Sequence, residues 1–306
     1  MITGHDILGA AVNVFLVLLL APLFQGVLRK VTAIVQSRQG PPLFQPYFDL
    51  LKLLGKEDVE SGESPGFQRF AAYLSLATAL SLVCLVPLGH AAPLGGTGDA
   101  ILLIYLLTLS GMATLLAGLA AGSTYSLLGI SREMMMIITL EPLFAVAVIV
   151  GAVHAGSLRL DVILNGSVYA TDGFSWSGAI LLLVMLLSFQ AFAQRLPFDI
   201  AEAETELMEG PLSEYSGPKL ALFKYAQMVR LVVYGALFAG LFLPWGSNLE
   251  FPAGALLFWA KMSALVLLVT VVAATHARYR IDQAIRYFAG LLAVAFVALI
   301  LASLGH

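Results

Sequence analysis

Apolar runs long enough to cross a bilayer recur eight times, near residues 7–28, 70–89, 100–121, 134–154, 178–195, 222–243, 256–276 and 285–304. A hydrocarbon core about 30 Å thick needs about 20 apolar residues of helix. Lipid offers no partners to backbone amides, so only helices or closed barrels span it. Runs of this length predict an all-α polytopic membrane bundle of about eight transmembrane helices, with amphipathic helices in its cytoplasmic loops. No internal repeat is evident, so residues 1–306 read as a single integral membrane domain. Charged residues make up 11% of the chain, against about 25% in soluble domains. The 7–28 run lacks a basic segment before it and is expected to be the first span rather than a cleaved signal.

Lys and Arg give the orientation. Arg29, Lys30, Arg38, Lys52, Lys56, Arg69, Arg132, Arg195, Lys219, Arg278, Arg280 and Arg286 fall in the first, third, fifth and seventh connections, and Lys224 and Arg230 open the sixth span on the same side. Only Arg159 and Lys261 mark the other side. The basic side is therefore expected in the cytoplasm of an inner (cytoplasmic) membrane, with both termini outside. The cytoplasmic loops are 29–69 and 196–221.

The segment 196–217, LPFDIAEAETELMEGPLSEYSG, holds six of the nineteen carboxylates. Pro197 suits a helix start and Gly210-Pro211 a stop. On a helix between them, Asp199, Glu202, Glu206 and Glu209 fall within an arc of roughly 80°. Glu204 points elsewhere and Glu214 follows the break. Such a stripe reads either as a solvated acidic face or as a proton relay. Its position between two spans, where crowding and burial raise carboxyl pKa values, favours the relay.

Loop 29–69 contains RQGPPLFQPYFDLLKLLGKED. After the Gly40-Pro41-Pro42 break, residues 47–54 are amphipathic, which predicts a short interfacial helix. Arg38, Asp49, Lys52 and Glu57 are candidates for a docking floor. The third connection, GSTYSLLGISRE, is polar and ends on Arg132, a further docking candidate, and Glu133. Glu141 follows beside Pro142, about 12 Å deeper. A charged carboxylate there costs roughly 2.5–3.5 kcal/mol, so Glu141 is expected to be protonated or to face a wet cavity. The outside segment 155–177, with Arg159, Asp161, Asn165 and Asp172, reads as a cap. In HARYRIDQ, Arg278, Arg280 and Asp282 either set topology or pair with a cytoplasmic subunit or with the acidic segment.

The lone cysteine, Cys84, cannot hold an iron–sulfur cluster or a structural zinc, so no cofactor is expected in this chain. The small net charge of −3 gives no sign of nucleic acid.

LPFDIAEAETELMEGPLSEYSG, RQGPPLFQPYFDLLKLLGKE, GSTYSLLGISRE, the Glu141 position and RYRIDQ, in this order, resemble the complex I subunit 1 family, which includes the equivalent membrane subunit of bacterial NADH:quinone oxidoreductase. One departure stands out: Gly40-Pro41 runs almost directly into Gln45-Pro46, where the quinone-reducing members insert more residues. The shortening looks more like the membrane subunits of energy-converting nickel–iron hydrogenases, of the formate hydrogenlyase subunit 4 and hydrogenase-4 component C type. This resemblance implies a membrane anchor and proton- or ion-coupling subunit that is not catalytic alone. Its partners would be hydrogenase large and small subunits on the cytoplasmic side, holding the nickel–iron centre and iron–sulfur clusters, with antiporter-like subunits alongside in the lipid. By position, Asp199, Glu202, Glu204, Glu206 and Glu214 match the family's acidic loop, and Glu141 its intramembrane glutamate. The alternatives are the quinone-site subunit of a complex I-like dehydrogenase and, less well matched, a stand-alone ion transporter.

Overall fold

The structure, a computed structural model, describes residues 4–59, 64–90, 92–165, 168–169, 175–246, 249 and 252–305. Asp172 and the side chain of Glu204 lie outside that set. Among the described residues the regular elements are helical. They run α1 (Gly4–Val35), α2 (Gln45–Leu54), α3 (Pro65–Leu85), α4 (Ala100–Ala121), α5 (Thr124–Ala155) and α6 (Leu160–Ile163), then α7 (Trp176–Phe192), α8 (Glu204–Leu207), α9 (Gly217–Phe242), α10 (Ala253–Thr275) and α11 (Ile281–Ser303). Seven of them are long and apolar enough to cross a membrane: α1, α3, α4, α5, α9, α10 and α11. The eighth expected span, α7, has 17 residues, about 25 Å of helix. It is cut short because Gln194 takes a positive φ of 51° and turns the chain into the bundle.

Helix ends follow local chemistry. Asp99 accepts from the Leu102 amide at 2.7 Å to start α4, and Gly122 at φ 68° ends it. Ser123 then accepts from the Ser126 amide at 3.2 Å and starts α5 at once. GSTYSLLGISRE is thus no extended connection. It is a two-residue turn followed by the first turns of a 32-residue helix. Its polar side chains are used inward: Ser126 Oγ donates to Gly118 O at 2.9 Å and also lies 3.3 Å from Pro211 O.

The bundle is organised around α9, whose most apolar stretch is 78% buried; the corresponding values for α1, α10 and α11 are 28%, 28% and 22%. Those three helices present apolar residues outward, as lipid-facing helices do. α3 and α4 pack closely, and small residues buried on them, Ala71 and Ala72 of α3 with Ala117 and Ala121 of α4, share one apolar cluster. α2 buries Pro46 and Leu50 and leaves Phe48, Leu51 and Leu54 exposed, as an interfacial helix would.

Candidate functional site

The acidic segment does not form the helix its spacing suggests. Residues 197–203 are irregular, α8 spans only four residues, and Met208 and Glu209 take φ of 51° and 74°. The single carboxylate stripe therefore does not exist. Tertiary packing overrides the spacing. Phe198 sits in a nest of Tyr279, Tyr287 and Phe288, with ring centroids 5.4, 5.5 and 4.8 Å away. Ile200 and Ala203 are buried as well. A straight helix could not bury these three apolar side chains and also turn its acids towards one face.

The loop's second half is clamped. Gly210 adopts φ 54°, and a Cβ there would lie 2.1 Å from Ala201 O. A Cβ on Gly129 of α5 would lie 2.7 Å from Pro211 Cδ. Tyr215 Oη donates to Ala117 O at 2.8 Å. Gly210→Ala is expected to cost about 1–3 kcal/mol from backbone strain alone, with the clash adding to it. A lower apparent Tm of the purified complex and a reduced yield of assembled complex would register this.

This irregular fold brings carboxylates together by another route. A cavity of about 540 Å³ enters at the loop end and descends between α5 and α9. Six acids line it, Asp49, Glu133, Glu141, Asp199, Glu202 and Glu209, with six bases, Arg29, Lys52, Lys56, Arg195, Lys224 and Arg230. At the mouth, Arg29 Nη1 meets Asp49 Oδ2 at 2.7 Å, and Gln45 Nε2 donates to Asp49 Oδ1 at 3.0 Å. Burial pushes the Asp49 carboxyl up, but Arg29 and Gln45 outweigh it and hold the group below its ordinary value. Arg278 Nη2 lies 3.4 Å from Asp199 Oδ2, and Lys224 Nζ lies 3.3 Å from Glu209 Oε1. Gln227 donates to Glu202. Burial raises the Glu202 carboxyl; Asp199 adds to the rise, while Lys224, Arg195 and Arg230 oppose it.

Deeper in the cavity, Gln194 Nε2 donates to Glu133 Oε1 at 2.9 Å, and Arg195 Nη2 donates to Gln25 Oε1 at 2.5 Å. Thr108 on α4 donates to Glu141 Oε2 at 2.9 Å. Pro142, next to Glu141, denies the Ile138 carbonyl its helical bond.

Not every candidate lines this cavity. Glu206 points outward, 53% exposed, against Arg132 at 2.6 Å, and that guanidinium holds its carboxyl below the ordinary range. Glu214 is exposed. Of the docking candidates, Arg38 and Glu57 are exposed outside the lining, Lys52 is exposed while also lining the cavity, and Arg280 pairs with Asp282 at 3.3 Å. Asp49, Arg132 and Arg278 are engaged within the chain, by Arg29, Glu206 and Asp199. Sequence reasoning missed the cavity roles of Glu133, Gln194, Arg195, Lys224, Gln227, Arg230 and Tyr234. Arg230 counted only as a marker of sidedness. A single arginine in the middle of an apolar span was the available signal.

Known proteins share this arrangement of helices. Residues 8–303 match the family described as NADH dehydrogenase. Hydrogenase-4 component C of Escherichia coli (strain K12) is 37% identical over 276 residues, covering 88% of this chain and 86% of the relative. Formate hydrogenlyase subunit 4 of the same organism is 34% identical over 270 residues, covering 86% and 87%. Among solved structures, a chain of the membrane-bound sulfane sulfur reductase, an archaeal respiratory membrane complex, superposes with a TM-score of 0.88 at 25% identity, covering 97% of this chain and 99% of that one.

Proposed function

We propose that this chain, which belongs to the NADH dehydrogenase family, relays charge between a cytoplasmic redox module and the membrane. It is a membrane subunit of an energy-converting complex. The observation that carries the relay is the single cavity that joins Asp199, Glu202 and Glu209 at the loop to Glu133 and Glu141 within the span. An electron arriving at a cluster above the loop changes the local potential. Proton occupancy at Glu202 responds, and the change passes through Glu133 to Glu141 and on to a neighbouring ion-carrying subunit. The exposed Glu206 and Glu214, with Glu204, belong to the loop's cytoplasmic rim in this reading.

The redox partner we propose is a nickel–iron hydrogenase. Its large and small subunits would carry the metal centre and iron–sulfur clusters and dock on the basic, cytoplasmic face through Arg38, Lys52, Glu57, Arg280 and Asp282. Antiporter-like subunits would lie alongside in the lipid, and both termini would lie outside. Two observations favour this over a quinone-site subunit: the short step from Gly40-Pro41 to Gln45-Pro46, and the charged lining of the cavity. Sites for apolar rings are lined predominantly by hydrophobic side chains with few polar groups.

Affinity purification of the tagged chain from gently solubilised membranes tests the assignment. Co-purification of nickel with an iron–sulfur subunit is expected. A flavin-bearing dehydrogenase in place of nickel would transfer the chain to the quinone reading, and a chain isolated alone that carries ions in liposomes would make it a transporter.

A further inference from the structure

Among the described residues Arg230 forms no close ion pair. It lies thirteen residues into α9 from Gly217, about 20 Å along the helix, and is 7% exposed. Its Nε meets no acceptor among the described residues. A buried guanidinium usually sits against a carboxylate within hydrogen-bond reach. Among the described residues, the ion pairs at the cavity belong instead to Arg29, Lys224 and Arg278.

Its place in the fold is specific. Lys224, Gln227, Arg230 and Tyr234 recur at spacings of three, three and four, one polar stripe along α9, and all four line the cavity. Arg230 lies within electrostatic reach of Glu202, Glu133 and Tyr234, and Tyr234 within reach of Glu141. The guanidinium therefore stands between the acids of the mouth and the acid in the span.

We propose that Arg230 is a fixed cation barrier that makes this chamber a passage for protons and closes it to sodium and other alkali-metal ions. The inference rests on the relay reading above and specifies which ion that relay carries. Arginine stays charged at every accessible pH, so the barrier is permanent. A proton crosses it as a change of occupancy on carboxyls and bridging waters, needing no cage of ligands. A sodium ion must bring its own charge past a guanidinium at low local dielectric, and an arginine in a pore excludes cations for that reason. Glu133 and Glu202 lie within electrostatic reach of the guanidinium, but among the described residues no three His, Cys, Asp or Glu side chains gather closely enough to hold a metal ion, so the chamber gives sodium no ligand cage in exchange for its water.

The test uses the whole purified complex and thallium(I) as a heavy alkali-metal mimic. Crystals of wild type and R230K soaked in thallium should show no anomalous peak in the chamber, and R230Q should show one near Glu133 or Glu202. In turnover assays at fixed pH, wild type and R230K should be indifferent to sodium, and R230Q should be slowed several-fold by it. A thallium peak in the wild-type chamber overturns the proposal, as does an R230Q chamber that stays empty. If R230Q fails to assemble, the wild-type map decides alone. Failure of the relay reading looks different: Glu141 variants would then couple normally, whatever the thallium maps contain.

Discussion

Glu141→Gln is expected to abolish ion translocation while the complex stays assembled and its redox turnover continues. The argument begins with shape. Gln and Glu fill the same volume, and a glutamine carbonyl still accepts from Thr108, which now donates at 2.9 Å. Gly111 does not oppose the change either, since even a Cβ on that glycine would lie 3.7 Å from the carboxyl oxygen. Packing at the α4–α5 seam is therefore unchanged, and little stability is lost. What disappears is the capacity to take and release a proton at the inner end of the chamber. Removing a positioned proton carrier costs about 10²-fold or more in the step it serves. Reconstituted complex, assayed for substrate turnover together with acidification of the vesicle lumen, should keep the first and lose the second. Normal pumping in the Gln variant would remove Glu141 from the mechanism.

What a sequence reveals depends on which physics acts at each place. The spans are legible because lipid imposes one rule on every residue of a run: apolar side chains outside, backbone bonds inside. Glu141 is legible for the same reason, as an exception to the rule. The acidic loop is not. Its carboxylates recur at helical spacing, but Phe198 is buried against α11 and Ile200 and Ala203 are buried as well, and that burial decides the backbone. Secondary structure here is a consequence of tertiary contacts, and a local pattern cannot reveal them. The start of α5 was obscured by its polar residues. Ser126, Arg132 and Glu133 look like loop chemistry until it is known that they face Pro211, Glu206 and Gln194. Arg230 shows the cost of counting charges without asking where they sit. As a marker of sidedness it is one of many. The Nε atoms of both Arg195 and Arg230 meet no acceptor among the described residues, but Arg195 Nη2 reaches Gln25, whereas Arg230 lies deeper in a span at 7% exposure.

Glu202→Gln should have the second large effect, and its signature is in pH. Burial raises the Glu202 carboxyl above its ordinary value of 4.5, so the folded chain holds a proton there more tightly than the unfolded chain does. The stability this contributes is fully present below 4.5 and is lost as pH rises through the folded value. Glutamine has no proton to lose. Relative to wild type, the variant should gain stability as pH rises from 4.5 through the folded value and hold that gain above it, and apparent Tm against pH should flatten over that window. Gln227 still finds a carbonyl to donate to, so the local bond survives. Coupling should not survive: in the proposed relay Glu202 is the group through which the loop's potential enters the chamber, and a group fixed in one state transmits nothing. The pH dependence of coupled turnover should flatten along with the stability curve. Glu206→Gln is the matched comparison, close by in the same segment but exposed and paired with Arg132 at the surface. Surface pairs of this kind contribute about 0–1 kcal/mol, so that variant should remain near wild type in both stability and coupling. If the two variants behave alike, position in the chamber is irrelevant and the acidic segment acts only as a charged surface.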